Sequence, residues 1–262
     1  MLLDRPLSVT LYLDMVTDRR YAAVWSKLEQ KAGANLADAS ELYLANAEAR
    51  LADKPGDKDR FADLVRAFHY HGDFAGVIER AGGIGGGIGS NTIEEDDGCA
   101  LNLTAYAHDS LGRIEQGDAI FDRLTKVDGQ ENNWAVSFLI NRASRLIGYG
   151  RFEEGLEAAT LARSVKGSPY AEMIVAKDHA CALYGLGSAD EAAPELAFLR
   201  ENKAASVEMA AQGLLCHGLR DEAASLLSEA FGRRSDARLG DIGAAIAFSG
   251  PVLQPVDPAL SP

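Results

Sequence analysis

At 262 residues the chain could form one large domain or two ordinary ones, and a repeat array escapes that count because it grows by adding units. It is 47% hydrophobic and 25% charged, which excludes the disordered class, and aromatics reach only 7%, a balance led by alanine and leucine that favours helix over sheet. The formal net charge of −13 repels a phosphate backbone and so disfavours sequence-independent nucleic-acid binding, while suiting a basic or neutral partner.

Three cysteines, Cys99, Cys181 and Cys216, lie far apart with no paired spacing. An odd count of this kind argues against a disulfide framework and fits a reducing compartment, with Cys181 and Cys216 packing as small hydrophobes. The opening MLLDRPLSVTLYLDM has no basic leader, and its apolar run is too short for a signal peptide. No stretch approaches the ~20 apolar residues of a membrane span. The expected location is therefore cytoplasmic.

In chain order, residues 7–16 and 20–31 read as a first helix pair, the second striped by Tyr21, Val24, Trp25 and Leu28. A long helix follows over about 36–53, with Leu42, Leu44, Ala45 and Leu51 among its apolar positions and no obvious partner; Lys54-Pro55-Gly56-Asp57 stops it. A second pair carries Phe61, Leu64, Val65 and Phe68 before Gly72, then Phe74 and Val77. Six glycines in the nine residues 82–90 must form a loop, since each would cost a helix ~1 kcal/mol relative to alanine.

Beyond that loop the units are regular, over about 93–126, 132–165, from Ser168-Pro169 onward, and 202–231. Thr92-Ile93-Glu94-Glu95 and Ser188-Ala189-Asp190-Glu191 have the form of capping boxes, Ser168 can cap with Pro169 in the first helical position, and Pro194 predicts a kink or a late helix start. The organisation is 1–81, divergent helical repeats; 82–91, the glycine-rich loop; 92–232, regular repeats; 233–250, a closing helix; and 251–262, an extended tail holding four of the eight prolines.

The turns align on Gly72, Gly112, Gly150, Gly187 and Gly218, at intervals of 40, 38, 37 and 31 residues. Seven positions before each stands Val65, Ala105, Ala143, Ala180 or Ala211, and five positions after each stands Val77, Gly117, Gly155, Ala192 or Ala223. Small side chains at two fixed places let antiparallel helices approach to the short end of the usual ~8–10 Å separation. The clearest unit is Trp134 to Ala162, with Val136, Leu139, Ala143 and Leu146 on one helix facing Phe152, Leu156, Ala159 and Ala162 on the next.

A helix–turn–helix unit of about 34 residues with small residues at fixed places and glycine at the turn resembles the tetratricopeptide repeat (TPR). The resemblance is carried by Ala143…Gly150-Arg151-Phe152-Glu153-Glu154-Gly155…Ala162, by Ala105…Gly112…Gly117…Phe121, by Ala180…Gly187…Ala192 and by Ala211…Gly218…Ala223…Ala230. It implies an all-α fold, a right-handed α-solenoid of antiparallel helix pairs, whose concave groove of first helices binds a peptide or protein segment. Carried onto this chain, the groove candidates are Arg66, His69, Tyr70, Asn102, Tyr106, Asn141, Lys177, Asp178 and Tyr184. The same side chains are also of a kind that packs between adjacent repeats.

Other motifs have plainer readings. The glycine run lacks the following lysine and the preceding strand of a phosphate loop, so it reads as a linker, or as a mobile lid over the groove. His69 and His71 are two apart, so their side chains diverge on a helix, and Cys216-His217 are adjacent and face different ways. Glu94-Glu95-Asp96-Asp97 sits where a helix N-terminus favours negative charge. No catalytic, metal or cofactor motif is expected. The function expected is a non-enzymatic, peptide-binding TPR-like scaffold or adaptor, with no nucleic acid and no membrane span; the alternative is a sensor module that binds a small molecule or signalling peptide under the glycine loop.

Overall fold

The computed structural model describes residues 36–82, 84, 93–129 and 131–232. The expected first helix pair, nearly all of the glycine-rich loop, the closing helix over 233–250 and the tail lie outside these. Among the described residues the protein is all-α, as the composition predicts: eleven α-helices and no strand. In order they are α1 (Leu36–Asp53), α2 (Lys58–His71), α3 (Phe74–Ala81), α4 (Glu95–Ser110), α5 (Ile114–Leu124), α6 (Val136–Gly148), α7 (Phe152–Arg163), α8 (Pro169–Gly185), α9 (Ala193–Glu201), α10 (Val207–Cys216) and α11 (Arg220–Gly232). They fall into two compact units, Met1–Phe138 and Leu139–Pro262. No described helix is long and apolar enough to cross a membrane.

The five aligned glycines all have positive φ, between 71° and 81°, a conformation that costs an L residue about 1 kcal/mol or more. Each turn closes with the same pair of hydrogen bonds. In the turn after α6, Gly150 N donates to Ile147 O at 3.0 Å and Arg151 N to Leu146 O at 2.9 Å. The same pattern recurs at Gly72, Gly112, Gly187 and Gly218, so orphan carbonyls at five helix ends are satisfied identically.

The residues flanking these turns are buried as the spacing predicts. Val65, Val77, Ala105, Ala143, Ala180, Ala192 and Ala223 are fully inaccessible, Ala211 nearly so, and Gly117 and Gly155 are buried. A Cβ on Gly155 would stand 2.6 Å from Ile147 Cγ1, so glycine there sets how closely α7 lies on α6. Gly185 does the same for the Phe152 ring, which leaves its neighbour Gly187 as the turn residue. Around these contacts the larger side chains form the cores, Phe121 and Leu124 in the first unit and Met173, Leu199 and Leu214 in the second. Each such burial contributes about 1.5–3 kcal/mol.

In each unit a helix packs on its sequence neighbour and on the next but one: α2 on α3 and α4, α8 on α9 and α10. In the second unit Arg163 forms a bidentate pair with Glu195 (2.7 and 2.8 Å), and Arg200 another with Glu222 (2.7 and 2.9 Å). These pairs run α7 to α9 to α11, so they tie successive second helices together. Exposed pairs of this kind contribute about 0.2–1 kcal/mol each.

Four expectations change. The long helix α1 has a partner after all: it packs on α2, turning through Gly56 at φ 90°. Its buried anchor is Ala47, whereas Leu42 is 63% exposed. The sequence 188–191 does not make a capping box; it forms a 3-10 turn, Ala189–Ala192, with no side-chain cap, and α9 starts late with Pro194 in its first turn. The other supposed box is not formed either, because α4 begins at Glu95 after Glu94, while Thr92 lies outside the described residues. By contrast Ser168 Oγ accepts from Ala171 N at 3.2 Å with Pro169 at the first helical position, as predicted.

The fourth correction concerns the cysteines. Cys181 of α8 and Cys216 of α10 are joined in a disulfide, with Cα atoms 5.3 Å apart, and Cys99 is the free thiol among the described residues. Stacking one hairpin on the next brings together two cysteines 35 residues apart, a pairing that spacing alone does not reveal. It also removes the thiol-based ground for a reducing compartment.

Two measurements follow. Ala143→Leu places a branched side chain where Ala143 has no accessible surface, and should cost roughly 1–3 kcal/mol in urea unfolding; a neutral result would mean that the helix pair is looser than described. Replacing Cys181 and Cys216 together by alanine opens a 35-residue loop and should cost about 3–4 kcal/mol on the chain-entropy scale, read as a lowered midpoint under oxidising conditions only.

Candidate functional site

On α2 the residues 63, 66 and 70 recur at steps of three and four, so Asp63, Arg66 and Tyr70 share a stripe. Asp63 is the hub. It accepts from Tyr43 Oη at 2.5 Å and from Arg50 Nη1 at 2.7 Å, both on α1, and Arg66 Nη1 lies 3.6 Å away. Burial, then the Asp63 carboxylate, holds the Tyr43 phenol well above its ordinary range, so it stays a donor. The Tyr43 and Tyr70 rings lie 6.1 Å apart, and the half-buried Cys99 thiol of α4 is within electrostatic reach of Arg66. Burial raises that thiol, which makes it a poor nucleophile near neutral pH.

His69 turns away from this stripe. Its ring makes edge contacts with Phe74 at 5.5 Å and Tyr70 at 6.2 Å, its Nδ1 is buried, and burial lowers its pKa to about 4. His71 points elsewhere, with Nδ1 3.2 Å from Ser40 Oγ, so the two histidines diverge. Among the described residues no three His, Cys, Asp or Glu side chains gather so as to hold a metal ion. On α4, Tyr106 packs edge-on against Phe121 of α5 at 5.8 Å, and Asn102 is half-buried. The acidic residues 94–97 open α4, and Lys58 of α2 reaches Glu94 at 3.0 Å and Asp97 at 2.9 Å. That charge therefore has both a helix N-terminus and a lysine to answer it.

The second unit concentrates its polar groups on the first helices α6, α8 and α10. Asn141 and Ser144 lie three apart on α6. Ser144 Oγ donates to Asp178 Oδ2 at 2.8 Å, and Lys177 Nζ lies against Asp178 Oδ1 and 3.3 Å from Ser144 Oγ. Asp178 is only 1% exposed, and its burial raises the carboxyl against the pull of Lys177. Lys177 is shared, because the next carboxyl it acts on is Glu208 of α10. Gln212 Nε2 donates to Glu208 Oε1 at 2.9 Å, and burial pushes the Glu208 pKa up to about 7 despite Lys177 and Gln212. Glu208 escaped notice in the sequence because a carboxylate in a first helical turn ordinarily faces solvent.

Tyr170, Lys177 and Tyr184 stand seven residues apart along α8, two turns each, and so share its stripe. Tyr170 is 48% and Tyr184 45% exposed. The Tyr184 ring rests 4.9 Å from that of His217, whose Nε2 bonds to Ala180 O at 2.9 Å beside the disulfide. Of the nine groove candidates, the structure thus gathers Arg66 and Tyr70 in the first unit and Lys177 and Asp178 in the second. It turns His69 and Tyr106 onto neighbouring rings, and leaves the Tyr184 ring half open to solvent.

Glu208 makes stability fall as pH rises. Its ordinary value is 4.5 and its native value about 7, so between these the native state keeps a proton that the unfolded chain releases. His69 has the opposite sign, losing stability as pH drops from 6.5 toward about 4. Glu208→Gln should match the parent in urea near pH 4 and gain on the order of 2 kcal/mol over it by pH 8; parallel curves would mean that the Glu208 pKa does not change on folding. Comparison of the chain with protein-family models, with curated proteins and with solved structures returns no match.

Proposed function

We propose that this protein is a non-enzymatic, TPR-like scaffold or adaptor that binds a peptide or protein segment across the polar stripes of its first helices, with its hairpins wound as a right-handed superhelix. The observation that carries the reading is the division of labour within each hairpin. Small residues flanking the turn are fully buried at the helix–helix contact, while tyrosines, amides and charges stand beside them on the first helices. On α8 that stripe presents two tyrosines about half exposed, which offer apolar area together with a hydrogen-bonding end. The net charge of −13 favours a neutral or basic segment.

An array of immobilised dodecapeptides probed with the purified chain tests this. Binding peptides should emerge, and Tyr184→Ala should weaken the best of them at least about fivefold, the loss common for truncating an interface tyrosine. An array that stays blank, with the protein folded by circular dichroism, would overturn the proposal.

A further inference from the structure

The Cys181–Cys216 bond lies apart from the apolar core that already holds α8 to α10. To that core α8 gives Met173, Ala176 and Ala180, and α10 gives Met209, Ala211 and Leu214. Cys181 belongs to a separate small cluster with Ile147 and Ala182, and Cys216 packs on its edge. The two sulfurs also differ in access. Cys181 is 2% exposed, whereas Cys216, the last residue of α10, is only half-buried. Thiol–disulfide exchange begins when a thiolate reaches one sulfur, so access favours attack at Cys216. The unit from Leu139 to Pro262 holds no third cysteine, and a reduced pair can only re-form the same bond within it. Beside the bond, His217 Nε2 pairs with Ala180 O at 2.9 Å, joining the same two helices by a contact that thiols do not touch.

From this geometry we infer that Cys181–Cys216 is a reversible thiol-exchange site whose state sets how freely the α10–α11 hairpin opens away from α8. The co-reactant is a dithiol reductant. Its thiolate attacks Cys216 Sγ and bonds to it, the Cys181–Cys216 bond breaks, and Cys181 leaves as a thiolate that takes up a proton. The reductant's second thiol, once deprotonated, attacks the reductant sulfur held on Cys216. That closes the reductant's own disulfide and releases Cys216, which is protonated in turn. Two electrons pass from the dithiol to the protein, and an oxidised dithiol returns the pair by the reverse steps. With the bond open the hairpin keeps its apolar core and the His217 contact, but loses the covalent limit on local opening. The inference does not depend on the peptide-binding reading.

The test uses the full, folded chain carrying Cys99→Ser, so that the pair supplies every thiol. Glutathione, a monothiol, traps the first step. Quenching, alkylation and peptide mapping should find glutathione on Cys216 and the alkyl group on Cys181. Dithiothreitol should then free both thiols without loss of helix by circular dichroism, and amide exchange over α10 and α11 should quicken at least about tenfold. Oxidised glutathione should restore the slow exchange. Glutathione on Cys181, or none on Cys216, overturns the inference, as does a bond that yields only in denaturant. Loss of helix on reduction makes the bond a structural staple and also overturns it, and so does amide exchange that reduction leaves unchanged. Should Cys99→Ser fail to fold, the parent chain gives the same reading, because its three cysteines fall on different tryptic peptides.

Discussion

The left-handed glycine at the end of each first helix is the constraint on which the rest depends. A positive φ there lets two hydrogen bonds close the helix end and sends the chain back along itself within a few residues. Once the direction is fixed, the only freedom left is how closely the two helices lie. That is settled by whichever residues stand seven before and five after the glycine, and at these ten positions the chain uses only valine, alanine and glycine. Turn and contact are thus one device, repeated five times, and the larger side chains fill the spaces it leaves.

Beside that contact the first helices carry polar groups. In the second unit charge enters a largely buried setting, at Lys177, Asp178 and Glu208. Buried charges of this kind contribute little to stability, and are better understood as fixing geometry or awaiting a partner. In the first unit the Asp63 hub is different in kind, for its carboxylate is fully answered by a tyrosine and two arginines.

The hairpin turns were legible because only glycine takes a positive φ without strain, so their positions show directly in the letters. The buried alanines were legible because they keep a fixed distance from those glycines. Other features depend on neighbours that the sequence does not name. Leu42 looks apolar enough for a core, but Ala47 is the residue that meets α2. Ser188 has the letters of a cap, but Pro194 delays the helix beyond its reach. Lys177 and Asp178 are adjacent, so they point about 100° apart, and the carboxylate turns inward onto Ser144 of another helix. The disulfide and the burial of Glu208 likewise arise from stacking one hairpin on the next, which no local pattern encodes.

The second unit fastens its two sides by different means. Its first helices are joined by a covalent bond between α8 and α10 and by a buried serine–aspartate contact between α6 and α8. Its second helices are joined by arginine–glutamate pairs whose arginines stand in solvent, where salt screens them. Under load or high ionic strength the two sides therefore have unequal stiffness. The second helices are the more yielding side of this unit, while the disulfide holds the spacing of α8 and α10.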